Sequence, residues 1–214
     1  MDPNTLKILQ GAAGAAGGDV IGVEDVFKTY IYDGSGAGSH TINNGIDMSE
    51  GGLVWIKSRD AANYDHWFMD TVRAGTKMLS TSRDSGVNAE ATDQAITSFN
   101  SNGFTLGSEG QTNASGSNKV SWTFRKQEKF FDIVTYTGNA TNRTIDHELG
   151  SVPGMILIKN LDSADDWIVY HRSLGADYYL HLNENIAQRA NSYSNANSWN
   201  GAPTATTFTL GNAA

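Results

Sequence analysis

Apolar residues in this chain recur mainly at every second position, in short runs bounded by Gly, Asn, Asp and Ser. That is the period of half-buried strands rather than of amphipathic helices. The pattern predicts strands over 27–32, 53–59, 65–71, 77–83, 96–99, 104–106 and 119–125. Between them, Asp33-Gly-Ser-Gly-Ala-Gly38 reads as a turn, and Asn102-Gly103 is a hairpin signal. About seven short strands in about 100 residues point to a β-sandwich or jelly roll.

The pattern also repeats. Phe27-Lys-Thr-Tyr-Ile-Tyr-Asp-Gly34 matches Phe131-Asp-Ile-Val-Thr-Tyr-Thr-Gly138, and Thr41-Ile42 matches Thr144-Ile145. Gly52-Leu-Val-Trp-Ile-Lys57 matches Gly154-Met-Ile-Leu-Ile-Lys159, Asp65-His-Trp67 matches Asp165-Asp-Trp167, and Phe104-Thr-Leu-Gly107 recurs unchanged as Phe208-Thr-Leu-Gly211. Blocks in the same order, with drift confined to turns, indicate a duplicated unit of about 100 residues. The expected fold class is all-β: two tandem β-sandwich (jelly-roll) repeats, over 21–127 and 128–214. If so, Trp55 and Leu157 occupy matching environments. The all-apolar runs Leu53-Val-Trp-Ile56 and Met155-Ile-Leu-Ile158 fit strands covered on both faces, with Lys57 and Lys159 reaching water. Trp67 and Trp167 are expected as core aromatics whose indole N–H finds a partner. Gly34 and Gly138 are expected to supply positive φ. The second copy lacks a counterpart of Val120-Ser-Trp-Thr-Phe124, so an open sheet edge is expected there. A longer natural polypeptide or another chain would supply the missing strand.

Residues 1–20 differ from the rest. Asp2-Pro3 reads as a helix start, Leu6, Ile8 and Leu9 form a small apolar face, and a Gly/Ala linker follows at 11–18. This is a short helical or extended anchor, and Leu6, Ile8 and Leu9 are its candidate docking residues for a partner surface.

Composition narrows the function. Gly, Ser, Thr and Asn make up more than a third of the 214 residues, Cys is absent, Pro occurs 3 times and the net charge is −8. Absence of Cys excludes disulfide scaffolds and thiol nucleophiles. No run of 18 apolar residues predicts a membrane span, and an acidic chain with thinly spread Lys and Arg argues against a nucleic-acid partner. None of the five His sits at metal-ligand spacing. Asp162, Asp165 and Asp166 could contribute to a calcium site, although no full ligand loop is visible. Glu128, Asp132, Asp146 and Glu148 would act as glycosidase acids only if folding paired them across a cleft. No G-x-S-x-G elbow is present. Neither a cofactor nor an enzymatic activity is therefore expected. Tyr178, Tyr179, Tyr193 and Trp199 lie in or near the Asn/Ser-rich stretch 183–200 and are candidate platforms for stacking on a glycan.

Several motifs in fixed order carry a resemblance. They are the Gly-Leu-Val-Trp-Ile-Lys strand, Asp70-Thr-Val-Arg73, Ser98-Phe-Asn-Ser-Asn-Gly-Phe-Thr-Leu-Gly107 and Val120-Ser-Trp-Thr-Phe124. Over residues 27–211 the chain resembles a repeated domain of marine bacteriophage tail fibre and virion structural proteins. The second copy departs from the pattern, keeping the Asp-x-x-Arg segment only loosely at Tyr170-His-Arg172. The resemblance implies a sandwich fold of the concanavalin-like, jelly-roll kind and a virion structural protein of the tail, the tail-proximal part of a fibre. Its N-terminus would attach to other virion proteins (a tail adaptor, nozzle or baseplate), the chain would be a homotrimer, and the distal part would meet the host, including its surface glycans. A glycan-binding module, a head decoration or head fibre protein, and a glycan-degrading sandwich enzyme are the alternatives.

Overall fold

The computed structural model describes residues 21–60, 64–82, 90–91, 94–192 and 197–212. Leu6, Ile8, Leu9, the Gly/Ala linker and Tyr193 lie outside the described residues.

The fold is an all-β sandwich, with every ladder antiparallel. A single helical turn, α1 (Val23–Val26), leads into β1 (Phe27–Asp33), β2 (His40–Asn43), β3 (Gly52–Ser58), β4 (Trp67–Asp70) and β5 (Lys77–Ser80). Then come β6 (Glu90–Ala91), β7 (Ile96–Asn100), β8 (Gly103–Leu106), a second helical turn α2 (Gly110–Asn113) and β9 (Asn118–Arg125). A six-stranded sheet in the order β1-β9-β3-β4-β5-β6 faces a three-stranded sheet, β2-β8-β7. Alternation places Val54, Ile56, Trp67, Met69 and Met78 of the large sheet against Ile42, Ile96, Phe104 and Leu106 of the small one. The Asn102-Gly103 hairpin joins β7 to β8, as the sequence predicts.

The second unit holds β10 (Arg143–Asp146), β11 (Met155–Ile158), β12 (Ile168–His171), β13 (Tyr178–His181), β14 (Arg189–Ala190) and β15 (Thr207–Leu210). Strand order β11-β12-β13-β14 repeats β3-β4-β5-β6, and β10-β15 repeats β2-β8. Registers repeat too: Ile42 faces Phe104 and Ile145 faces Phe208, while Trp55 faces Phe68 and Leu157 faces Val169. Trp55 and Leu157 also join one apolar cluster, so the expected equivalence holds. That cluster, with Leu53, Phe68, Leu79 and Trp167 buried at its centre, is the seam between the two units. The run 53–56 is thus covered on both faces: by the first core inside and by the second unit outside.

The ladders correct three sequence expectations. Ile158 pairs with Ile168 as Ile56 pairs with Trp67, so Trp167 stands one position before the true counterpart of Trp67. A one-residue offset turns a side chain to the opposite face. Trp67 sits in the inner core and donates Nε1–H to Gln111 Oε1 (3.2 Å), whereas Trp167 sits in the seam and donates to the Ser80 carbonyl of the first unit (2.8 Å). Second, Gly34 and Gly138 do not take positive φ. Gly34 is instead required by close approach, since a Cβ there would lie 2.0 Å from the Ala114 carbonyl oxygen. Third, residues 132–138, the counterpart of β1, form no strand. Their ladder partner would be a counterpart of β9, and no described residue provides one. For the same reason β11 pairs only with β12 among the described residues, and Met155 is 57% exposed. Among the described residues this edge of the second copy carries no partner strand.

Asp60 ties β3 to the start of β9. Its carboxylate accepts from Asn118 N–H (2.7 Å), Ser58 Oγ–H (2.8 Å), Ser117 Oγ–H (3.0 Å) and Asn118 Nδ2–H (3.2 Å). These donors, the Asn118 amide foremost, hold its pKa well below the usual carboxylate range. A depressed folded pKa gives stability that is complete above about pH 4 and is lost as pH falls through the folded value. Asp60→Asn should therefore lower the urea midpoint at pH 6 and shrink the further loss between pH 4 and pH 2. Trp167→Ala, which empties the seam and orphans the Ser80 carbonyl, should cost about 3–5 kcal/mol in denaturant titration, and Trp167→Phe distinctly less.

Candidate functional site

The four aromatics proposed for glycan stacking do not form one surface. On β13 the strand alternation sends Tyr178 outward, 40% exposed, and Tyr179 inward. Tyr179 and Trp199 are members of the second core, together with Ile145, Tyr170, Phe208 and Leu210. Trp199 meets Tyr170 edge-on, at 5.5 Å between ring centroids. The Asn191 side chain fixes its backbone, accepting from Ser198 and Trp199 N–H and donating to the Trp199 carbonyl. Both ring faces of these two residues are withdrawn from solvent.

The three Asp considered for calcium also diverge. Asp165 stays within its own turn, accepting from Asn160 Nδ2 (2.7 Å) and from Ser163 Oγ. Asp162 is exposed, and Asp166 turns to His181. The antiparallel ladder that pairs Ile168 with His181 brings Asp166 beside that histidine, and the turn after β13 adds Glu184. Nδ1 of His181 lies 2.9 Å from Asp166 Oδ2 and 2.8 Å from Glu184 Oε2, and the imidazole side chain is 6% exposed. Its ring stacks on Tyr179 at 5.4 Å. Asn183 Nδ2 donates to the other Asp166 oxygen (2.7 Å). One nitrogen and two carboxylate oxygens within 4.8 Å of one another could hold a divalent cation of the zinc or manganese type. The sequence signal for this cluster is His181-x-x-Glu184 after a strand, with the Asp supplied by the neighbouring strand. The spacing of His residues alone does not reveal it.

Of the four carboxylates considered as paired acids, folding brings together Asp132 and Glu148. They share Lys126, whose Nζ is 2.7 Å from Glu148 and 3.3 Å from Asp132, while Asp132 also accepts from Glu148 N–H (2.8 Å). The Glu148 hydrogen bond leads in raising the Lys126 pKa. The Lys126 ammonium thus ties the two carboxylates into one ion-pair cluster, rather than leaving them to face each other across an open cleft.

A groove of about 1520 Å³ lies between residues 131–138 and β11. Its walls include Tyr136, Ile156 and Leu157 of the second unit and Trp55, Phe68 and Phe124 of the first. It is predominantly apolar, and it runs along the edge of β11 that has no partner among the described residues.

The chain matches the family model described as a domain of unknown function, DUF7483, over residues 23–214. No curated protein and no solved structure matches it.

His181→Ala removes the ring under Tyr179 and leaves two carboxylates facing each other. It should cost about 1–2 kcal/mol, read as a lower denaturation midpoint.

Proposed function

We propose that this chain, which belongs to the DUF7483 family, is a structural protein of a bacteriophage virion: the tail-proximal part of a tail fibre that attaches to the tail and supports host recognition. The ordered motifs from Gly52 to Phe124 bring the fibre reading, and one observation carries it furthest. The two sandwiches are joined as a single stiff element rather than as beads on a linker. Leu53, Phe68, Leu79 and Trp167 are buried between them, the Trp167 indole bonds to Ser80 across the seam, and Lys126 N–H bonds back to the Gly51 carbonyl at 2.8 Å. A shaft that holds its shape under load needs this kind of joint.

In this reading the anchor around Leu6, Ile8 and Leu9 docks on another tail protein, and the shaft is a homotrimer. The free edge of β1, where Ile31 is 61% exposed, is the face such a trimer would cover. Light scattering on the purified chain should give three times the 23.0 kDa protomer mass; a strict monomer at high concentration would sink the trimer. Antibodies against the chain should label tails in electron micrographs of particles. Labelled heads would replace the fibre by a head decoration or head fibre protein.

A further inference from the structure

We propose that the groove beside β11 is a strand-acceptor site. It takes an extended segment of a second polypeptide, patterned like residues 110–125 of this chain, which adds as a strand antiparallel to both 131–138 and β11.

The first unit shows what belongs there. β9 fills the space between β1 and β3, with seven residue pairs to each. In the second unit both flanking segments keep the facing needed to receive such a strand. Val134 and Tyr136 pack inward with Ile156 and Ile158, and Phe131 and Ile133 pack outward with Leu157. This is the alternation of β1 and β3, where Tyr30 and Tyr32 face inward with Val54 and Ile56. The alternation is kept with no ladder between the two segments. Arg172 N–H bonds to the Gly154 carbonyl, so Gly154 and, by alternation, Ile156 and Ile158 point their backbone groups at β12. Those of Met155 and Leu157 then point into the groove. No hydrogen bond reaches the backbone of Val134, Thr135 or Tyr136 among the described residues.

Three further residues are matched to an occupant that no described residue supplies. Gly34 is needed because the loop before β9 brings the Ala114 carbonyl to 2.0 Å from where its Cβ would be; at Gly138 a Cβ would meet nothing within 4 Å. Gly52 is needed because the Phe124 carbonyl of β9 would lie 2.1 Å from its Cβ; at Gly154 a Cβ would meet only the end of the flexible Arg172 side chain. Asp60 caps the start of β9 through Asn118 N–H, and its counterpart Asp162, on the groove wall, accepts no hydrogen bond among the described residues. A loop carbonyl, a strand carbonyl and a strand-start amide would meet these three residues in turn.

Each described strand of this chain is already paired, β9 itself on both edges, and the donor we propose is a second polypeptide. Its pattern follows from the walls. Small or branched residues would face Val134, Tyr136 and Ile156, as Ser121 and Thr123 face inward on β9. Aromatic residues would face Leu157 and the seam, as Trp122 and Phe124 do. Main-chain hydrogen bonds on both edges would give affinity, and the alternating pockets specificity.

The test uses the full chain and a synthetic peptide of residues 108–126. The peptide should bind, raise the melting temperature and slow amide hydrogen exchange in 131–138 and 155–158. Gly138→Val is the decisive variant, because its side chain enters open space in the free chain but the path of the donor loop. It should leave the melting temperature of the free chain within about 2 °C and weaken peptide binding by about tenfold or more. Three results would overturn the proposal: no binding, equal binding to Gly138→Val, or protection of both segments before any peptide is added. The last, seen on monomeric protein, would mean that residues of this chain already occupy the groove.

Discussion

The architecture depends on one constraint: the outer face of the large first sheet is apolar and cannot be left in water. An antiparallel sheet with one solvated face alternates apolar and polar side chains, yet β3, β4 and β5 present Leu53, Trp55, Phe68 and Leu79 on the side away from the first core. The second unit covers them with Trp167, Leu157, Phe131 and Ile133. Fully burying an aromatic or branched side chain stabilises by about 1.5–3 kcal/mol, so four at the centre of the seam outweigh any tendency of the units to separate. The segment between the units is bonded rather than slack, with Gln127 bridged to Phe131. Position and orientation of the second sandwich follow from this covering role.

Covering the outer face reverses the usual distribution on β9. Its inward residues are Lys119, Ser121 and Thr123, all fully buried, and its aromatics Trp122 and Phe124 point outward. Each inward polar group has a partner. Lys119 Nζ donates to the Gln111 carbonyl (3.0 Å) and lies 4.4 Å from the Tyr64 ring centre, while Thr123 Oγ1 accepts from Asn44 Nδ2 (2.8 Å). Burial lowers the Lys119 pKa. It likewise raises that of Tyr32, whose hydroxyl donates to the Thr112 carbonyl. Satisfied buried hydrogen bonds are directional where hydrophobic contact is not. They allow β9 one register between β1 and β3, and so define the shape that the second unit leaves open.

The all-β class and the places of β1, β3, β4, β5, β7, β8 and β9 were legible in the sequence because they rest on period-two alternation; β2 and β6, too short to show it, were not among the predicted strands. The equivalence of Trp67 and Trp167 was misread because matching letters do not fix a ladder. A drift of one residue in the preceding turn changes the face, and only the Ile158–Ile168 pairing reveals it. Residues 131–138 look as strand-like as β1 in the chain, yet strand formation needs a partner's backbone, which alternation cannot supply. Tyr179 and Trp199 were taken for surface rings because they lie among Asn and Ser. The polar neighbours instead fold over them, with Asn191 holding the backbone at Trp199. The His181 cluster went unread because its Asp arrives across a strand pair.

Glycine and Asp positions carry information that apolar positions do not. An apolar residue beside an empty groove can be explained by the core behind it, as Ile156 is by Tyr170 and Phe208. A glycine costs chain entropy, and one that recurs at the position of Gly34 keeps free the room that the Ala114 carbonyl takes there. At Gly211 such room is taken inside its own unit, because a Cβ there would lie 2.1 Å from the Asn197 carbonyl, as one at Gly107 would meet Gln94. At Gly138 no described residue takes it. An unpaired edge is also a hazard that folds ordinarily blunt with charge, proline or a bulge, and Met155-Ile-Leu-Ile158 carries none of these. An edge left flat and apolar, beside a glycine sized for a missing carbonyl, is what a joint between polypeptides requires. In an assembled shaft, such a joint would transmit force through main-chain hydrogen bonds rather than through side-chain contact alone.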